Sequence, residues 1–269
     1  MSPVTSSATV ATDDYTRFCE GVRGLARIDL LQYKRGQMER RVRTFAERRG
    51  TPDLAAYLQE LRRRPDELTA FLDRVTINVS QLWRNPEQWA VLARSVLPAL
   101  AAEGRVRAWS AGCSYGAEAY TLAAVGRTAV PAARLEISGT DIDPRMVERA
   151  RAGRFSAEDA RDAPRRELAR WFEAEPDGGW RAHRELRALA RFEVGDLLRM
   201  RPRREAYDLV LCRNTVIYFN EEVRDALHAR LADSLRPGGV LLIGSTERVS
   251  RPQDAGLKPT HPFVYRKVS

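Results

Sequence analysis

The sequence predicts an α/β, Rossmann-like domain with a small inserted β-subdomain, preceded by a small all-helical domain. Three observations predict it. The segment V-R-A-W-S-A-G-C-S-Y-G-A-E-A-Y, from Val106 to Tyr120, has the make-up of a buried strand, a glycine-bearing loop and the start of a helix. Gly112 and Gly116 let such a loop turn tightly and bring backbone N–H groups close to a ligand. Asp141 closes the next apolar run at the spacing of one strand–helix–strand unit, where doubly wound folds place an acidic ribose acceptor. Three more apolar runs then follow in order, over residues 191–197, 207–214 and 235–243.

From the N-terminus, residues 1–14 are small and polar, a flexible tail without the apolar stretch of a signal peptide. A helical domain is expected over 15–75. Apolar residues recur at helical spacing in Tyr15-Phe18-Val22-Leu25 and in Leu54-Tyr57-Leu58-Leu61. Thr51 or Asp53 caps the second of these helices, and Pro65-Asp66 opens another. Between them a strongly basic amphipathic helix runs from Lys34 through Arg40, Arg41 and Arg43 to Arg48 and Arg49. It is either a solvated face or a docking surface for an acidic partner. Residues 76–88, T-I-N-V-S-Q-L-W-R-N-P-E-Q, form a linker into the α/β domain, 89–269. Residues 154–190 interrupt that domain's alternation. Asp177-Gly178-Gly179, flanked by Trp171-Phe172 and Trp180, reads as the turn of a hairpin in this insertion.

Composition excludes several classes. Cys19, Cys113 and Cys212 are odd in number and widely spaced, and the three histidines are scattered, so neither a disulfide framework nor a metal site is expected. No apolar run is long enough to span a membrane, which predicts a soluble, cytoplasmic protein. The net charge of +9 and the pI near 9.9 suit an acidic partner: carboxylate-rich protein, nucleic acid or an anionic surface.

The last apolar run narrows the class. A helix, then L-R-P-G-G at residues 235–239, then a strand is typical of S-adenosylmethionine (SAM) methyltransferases rather than dehydrogenases. Beyond its first dozen residues the chain resembles the CheR-type chemoreceptor glutamate methyltransferases. The resemblance rests on the basic helix after Lys34-Arg35, the linker T-I-N-V-S-Q-L-W-R and the loop G-C-S-Y-G-A-E-A-Y. It rests also on T-D-I-D at residues 140–143 and C-R-N-T-V-I-Y-F at 212–219. It implies SAM as cofactor, S-adenosylhomocysteine as product, and the acidic helical cytoplasmic region of a chemoreceptor as partner.

Residue by residue, the resemblance implies that Asn78, Ser80 and Arg84 reach from the linker to the cofactor, that Glu118 contacts it and that Asp141 holds its ribose. Asp196 and Leu197 would lie along the adenine, with Arg213 and Asn214 on the pocket floor. Arg84 and Tyr218 would orient the substrate carboxylate, and Arg40, Arg41, Arg43, Arg48 and Arg49 would dock the receptor. Each has a plainer alternative: helix caps for Asn78 and Ser80, a turn residue for Asp196, a core aromatic for Tyr218. Cys113 and Cys212 are expected as small buried side chains.

The chain departs from the family's usual S-T-G-E-E-P-Y loop, with Tyr115 and Ala117 replacing a small hydroxyl and the first glutamate. Ser245-Thr246-Glu247 stands for the usual S-E-N. Tyr115 is expected to narrow the pocket mouth. The short hairpin around Gly178 argues against tethering to a receptor's C-terminal peptide, and a monomer is expected. Two other readings stand beside the leading one. A non-catalytic SAM-binding interaction protein would explain Tyr115 and Ala117. A nucleic-acid methyltransferase would use the positive charge, but the basic run lacks interleaved aromatics.

Overall fold

The structure, a computed structural model, describes residues 13–76 and 80–268 and divides into two compact units. The first comprises the described residues before 77 together with Tyr218–Asn220. Four α-helices build it: α1 (Asp14–Ala26), α2 (Arg35–Arg48), α3 (Leu54–Arg63) and α4 (Pro65–Thr76). Helix α1 starts inside the stretch expected to be tail, because Asp13 caps it by accepting the Thr16 N–H at 3.0 Å. Asp53, not Thr51, caps α3, accepting the Ala56 N–H at 2.7 Å.

Tyr15, Phe18, Cys19 and Val22 of α1 are buried, as are Leu54, Tyr57, Leu58 and Leu61 of α3. Phe71 stands edge-on to Phe18 and Tyr57, with ring centroids 5.6 and 6.0 Å away, and closes an aromatic core. The Tyr57 hydroxyl donates to the buried Glu67 at 2.8 Å. Tyr218–Asn220 are strapped into this unit. Lys34 N–H donates to the Tyr218 carbonyl at 2.8 Å and Asn220 N–H to the Gln32 carbonyl at 2.9 Å. Phe219 meets the Tyr33 ring at 4.9 Å.

The second unit is α/β. It opens with α5 (Pro86–Val91), a widened turn over Leu92–Val96, and α6 (Leu97–Leu100). Pro98 has no N–H to offer the preceding turn, a usual reason for such widening. The first alternating half is β1 (Arg105–Ala111), α7 (Ala117–Ala129), β2 (Arg134–Asp141) and α8 (Pro144–Ala152). The insertion supplies β3 (Arg154–Phe155), α9 (Arg165–Trp171), β4 (Phe172–Ala174), β5 (Trp180–Ala182) and α10 (Arg184–Leu189). Its three strands form a small antiparallel sheet, with Gly178 at φ 81° in the hairpin turn. The remainder is β6 (Ala190–Val194), β7 (Tyr207–Cys212), α11 (Glu221–Ser234), β8 (Leu235–Ile243), β9 (Leu257–His261) and β10 (Val264–Lys267).

The main sheet has seven strands in the order β6-β2-β1-β7-β8-β10-β9; the first five are parallel, and β10 pairs antiparallel with both β8 and β9. L-R-P-G-G is not a turn ahead of β8. Pairing already begins at Leu235, and the register slips before it resumes at Val240. Helix α7 is small-residue and apolar, and is buried continuously from Ala117 to Gly126. Trp109 of β1 is 1% exposed, donates to Thr140 Oγ1 at 3.0 Å and stacks on Tyr207. At the sheet's margins, Arg151 of α8 donates twice to the Phe192 carbonyl of β6, at 2.9 and 3.3 Å, while β9 exposes Lys258 and Pro259.

Candidate active site

Strand β1 is flanked by β2 and β7, so chain connectivity reverses across it, and the crevice of a doubly wound fold lies over the carboxyl ends of these strands. The loop after β1 is built for close approach. Gly112 and Cys113 N–H groups both donate to the Thr140 carbonyl, at 2.9 and 3.0 Å, pinning the loop to β2. A Cβ at Gly112, where φ is 80°, would lie 2.5 Å from Thr215 Oγ1. At Gly116, where φ is 86°, a Cβ would lie 3.0 Å from the Ala150 Cβ, so the left-handed backbone and the close neighbour both disfavour a side chain there.

Glu118, Asp141 and Glu247 are three of the buried carboxylates at this end. Glu118, in the first turn of α7, accepts from Ser110 Oγ at 2.7 Å and from Arg213 at 3.3 Å. Asp141, at the end of β2, accepts the Ser114 N–H at 2.7 Å and the Asp143 N–H at 3.0 Å. Glu247, after β8, accepts the N–H groups of Gly244, Asn214 and Val216 at 2.6, 3.0 and 3.0 Å. Burial holds all three above the usual carboxylate range, against the pull of these partners.

The linker run 80–85 has no regular secondary structure and is held by side chains. Trp83 and Asn85, at φ 54° and 57°, adopt left-handed backbone on either side of Arg84. Such conformations cost about 1–3 kcal/mol each in non-glycine residues and gather at functional sites. Arg213 locks them: it donates to the Arg84 carbonyl at 2.6 Å, to Asn85 Oδ1 at 3.1 Å and to Gln88 Oε1 at 2.8 Å. Trp89 also donates to the Arg84 carbonyl, at 2.9 Å, and Trp83 N–H donates to Thr121 Oγ1 at 3.1 Å. Ser114 and Asn214, at φ 47° and 58°, extend the set of left-handed residues around the same crevice.

The α/β unit thus brings together Ser80, Arg84, Glu118, Asp141, Arg213 and Asn214 of the residues singled out in the sequence. Arg213 is 7% exposed and serves as a strut between linker and α7. The Arg84 charge acts on Glu118 as well. Asp196 follows β6 as a turn residue: its carboxylate accepts the Leu198 N–H at 2.8 Å and pairs with Arg199 at 3.3 Å. Leu197 beside it is buried. Cys113 and Cys212 are buried, and burial pushes both thiols well up, as suits packing side chains. Asn78 lies outside the described residues.

Tyr218 belongs to the helical unit, where the Arg41 guanidinium lies 5.5 Å from its ring centre. Of the five arginines expected to dock a partner, three are engaged within that unit. Arg41 donates to the Val75 carbonyl at 3.3 Å, Arg43 grips Asp14 and Glu39, and Arg49 pairs with buried Glu67 at 3.1 Å. Arg40 and Arg48 are exposed.

Sequence reasoning missed the clamps: Gln88, Thr121, Glu247 and Asp159. Tyr115, expected to narrow the pocket mouth, is 2% exposed, and its hydroxyl meets Ser80 and Asp159. The residues present fit SAM. Desolvated carboxylates at the carboxyl end of the sheet favour a ligand carrying sulfonium and ammonium charges. Ser114 Oγ, buried with no hydrogen-bond partner among the described residues, adds a polar atom on the loop.

Comparison with known proteins points to one family. Residues 78–261 match the family model "CheR methyltransferase, SAM binding domain", and residues 13–76 match "CheR methyltransferase, all-alpha domain". A chemotaxis protein methyltransferase of Listeria innocua is 34% identical over 95% of this chain and 97% of its own length. One from Pseudomonas aeruginosa, chemotaxis protein methyltransferase 1, is 30% identical over 80% of this chain and 82% of its own.

Proposed function

The chain belongs to the CheR methyltransferase family, and from that premise we propose that it transfers a methyl group from SAM to glutamate side chains in the cytoplasmic region of a chemoreceptor, forming methyl esters. The observation that carries the reading is the strained linker held with Arg84 beside Glu118 at the carboxyl end of the sheet. Names of the similar proteins point to chemotaxis as the setting.

Bound SAM supplies an electrophilic methyl group on a sulfonium. A substrate glutamate is ionised at neutral pH, so the protein needs no general base. Its task is alignment and water exclusion, which can contribute several kcal/mol of barrier reduction. Asp141, fixed in place by the Ser114 N–H, would hold the ribose side, and Glu118 would face the ammonium group. Arg84 would steer the carboxylate through a loose contact, since a tight bidentate pair would hold both oxygens and blunt the nucleophile. Tyr218 is assigned one orienting hydrogen bond by family resemblance alone.

Calorimetric titration with S-adenosylhomocysteine tests the cofactor site, with Asp141→Ala as its control. Saturable binding that weakens about ten-fold or more in the variant is expected. An absence of binding by folded wild type overturns the reading. With an acidic receptor fragment as substrate, Arg84→Ala should lower turnover far more than it lowers S-adenosylhomocysteine affinity. Equal losses would remove the substrate-orienting role.

A further inference from the structure

Tyr115, one of the loop's departures from the family pattern, makes contacts that give it a task. Its hydroxyl meets both backbone groups of Ser80: the Ser80 N–H donates to it at 3.2 Å, and the Ser80 carbonyl accepts from it. The same hydroxyl is 2.8 Å from Asp159 Oδ1 in the insertion. It carries one hydrogen and faces two acceptors, so linker and insertion are coupled through it. The phenol is buried, which shields its hydroxyl from water.

The surroundings are built around that hydroxyl. Arg149 of α8 lies over the Tyr115 ring, 3.8 Å from its centre, and pairs with Asp159. Asp159 Oδ2 also accepts the Ser156 N–H at 2.8 Å, and the Asp159 carbonyl accepts the Leu82 N–H at 2.8 Å. Gln81 is bonded to Asp162, and its side-chain carbonyl accepts from Arg161 at 3.3 Å. Three successive linker residues, Ser80, Gln81 and Leu82, are therefore tied to residues 156–162. The elements meeting at Tyr115 are the linker that carries Arg84, the loop before Glu118 and the helix after Asp141.

We propose that Tyr115, with Asp159 and Arg149, is a latch that fixes the linker in its cofactor-binding conformation before the cofactor arrives. Tyr115 is then a positioning residue acting through Ser80 and Arg84, and the first segment of the insertion serves the cofactor site. The physical reason lies in the linker's backbone. Left-handed Trp83 and Asn85 make residues 80–85 unfavourable in isolation, so an unlatched linker would populate other conformations. A ligand that binds only the held form loses affinity in proportion to the fraction lost. The proposal rests on the assignment of SAM to this crevice.

The test uses the full chain carrying Tyr115→Phe, which keeps the ring and removes the hydroxyl. Asp159→Asn serves as a second variant, should the first not fold. In ligand-free protein, amide exchange of the peptide spanning 80–84 should rise about ten-fold while α7 stays protected. The dissociation constant for S-adenosylhomocysteine should rise by about three- to ten-fold, the range for one buried hydrogen bond. KM for SAM should follow it, with kcat falling less. Unchanged linker exchange overturns the latch whether or not the cofactor binds. Faster exchange with unchanged affinity overturns its role toward the cofactor. Failure of the cofactor assignment is separate: wild type would then not bind S-adenosylhomocysteine at all.

Discussion

Glu247 shows what a single acceptor-only side chain does at this crevice. Its two oxygens take three backbone N–H groups and so join the loop after β7 to the loop after β8. A glutamine offers one carbonyl oxygen and an NH2 group, which would face a backbone donor. Glu247→Gln should therefore destabilise the folded chain by about 1–3 kcal/mol in urea titration. A change within about 0.5 kcal/mol would show that the three bonds are dispensable. Glu118 and Asp141 were legible in the sequence because each sits at a fixed offset from a glycine loop or a strand end. The work of Arg213 and Glu247 was not. Arg213 meets Gln88, 125 residues away, and Glu247 meets Asn214, 33 residues away, distances at which no local pattern speaks.

Among the elements, punctuation made the helices readable. Asp53 caps α3 and Pro65 opens α4, both local events. The turn at Gly178 was equally local. The β9–β10 hairpin was not readable, since Leu257-Lys258-Pro259-Thr260-His261 has neither alternation nor an uninterrupted set of N–H donors. Helix α2 shows the limit of charge counting: its basic run is in good part internal, with Arg43 and Arg49 spent on Asp14 and Glu67. If the helix docks an acidic receptor, Arg40 and Arg48 carry the effect. KM for a receptor fragment should then rise with salt, as the screening length falls below about 8 Å. Arg40→Glu combined with Arg48→Glu should raise KM and flatten that dependence; an unchanged KM would exclude these positions from docking.

For the molecule as a whole, stability should respond to acid through His228. It lies on α11, 1% exposed, with neither ring nitrogen hydrogen-bonded among the described residues. Burial first, then the charge of Arg224, lowers its pKa to about 4, with Asp225 opposing. The unfolded chain binds this proton near pH 6.5 and the folded chain only near 4. The stabilisation is thus full above 6.5 and is lost as pH falls between those values. The loss should reach about 2 kcal/mol by pH 5. Glu118, Asp141 and Glu247 act in the opposite sense: held above their ordinary range, they take up protons first in the folded state, and acid relieves their burial. Comparing wild type with His228→Leu isolates the histidine, since the carboxylates are common to both. Parallel Tm profiles between pH 7 and 5 would refute the assignment.

A seven-stranded sheet also has two margins, and each is a template on which another chain could grow. On β6, the Arg151 guanidinium already occupies the Phe192 carbonyl, and Arg191 and Glu193 add charge. On β9, Pro259 lacks a donor and Lys258 carries a charge. These are the devices by which edge strands resist strand-to-strand aggregation. At high concentration, a β-strand approaching either margin of this sheet meets side chains where it would need a free ladder of amides.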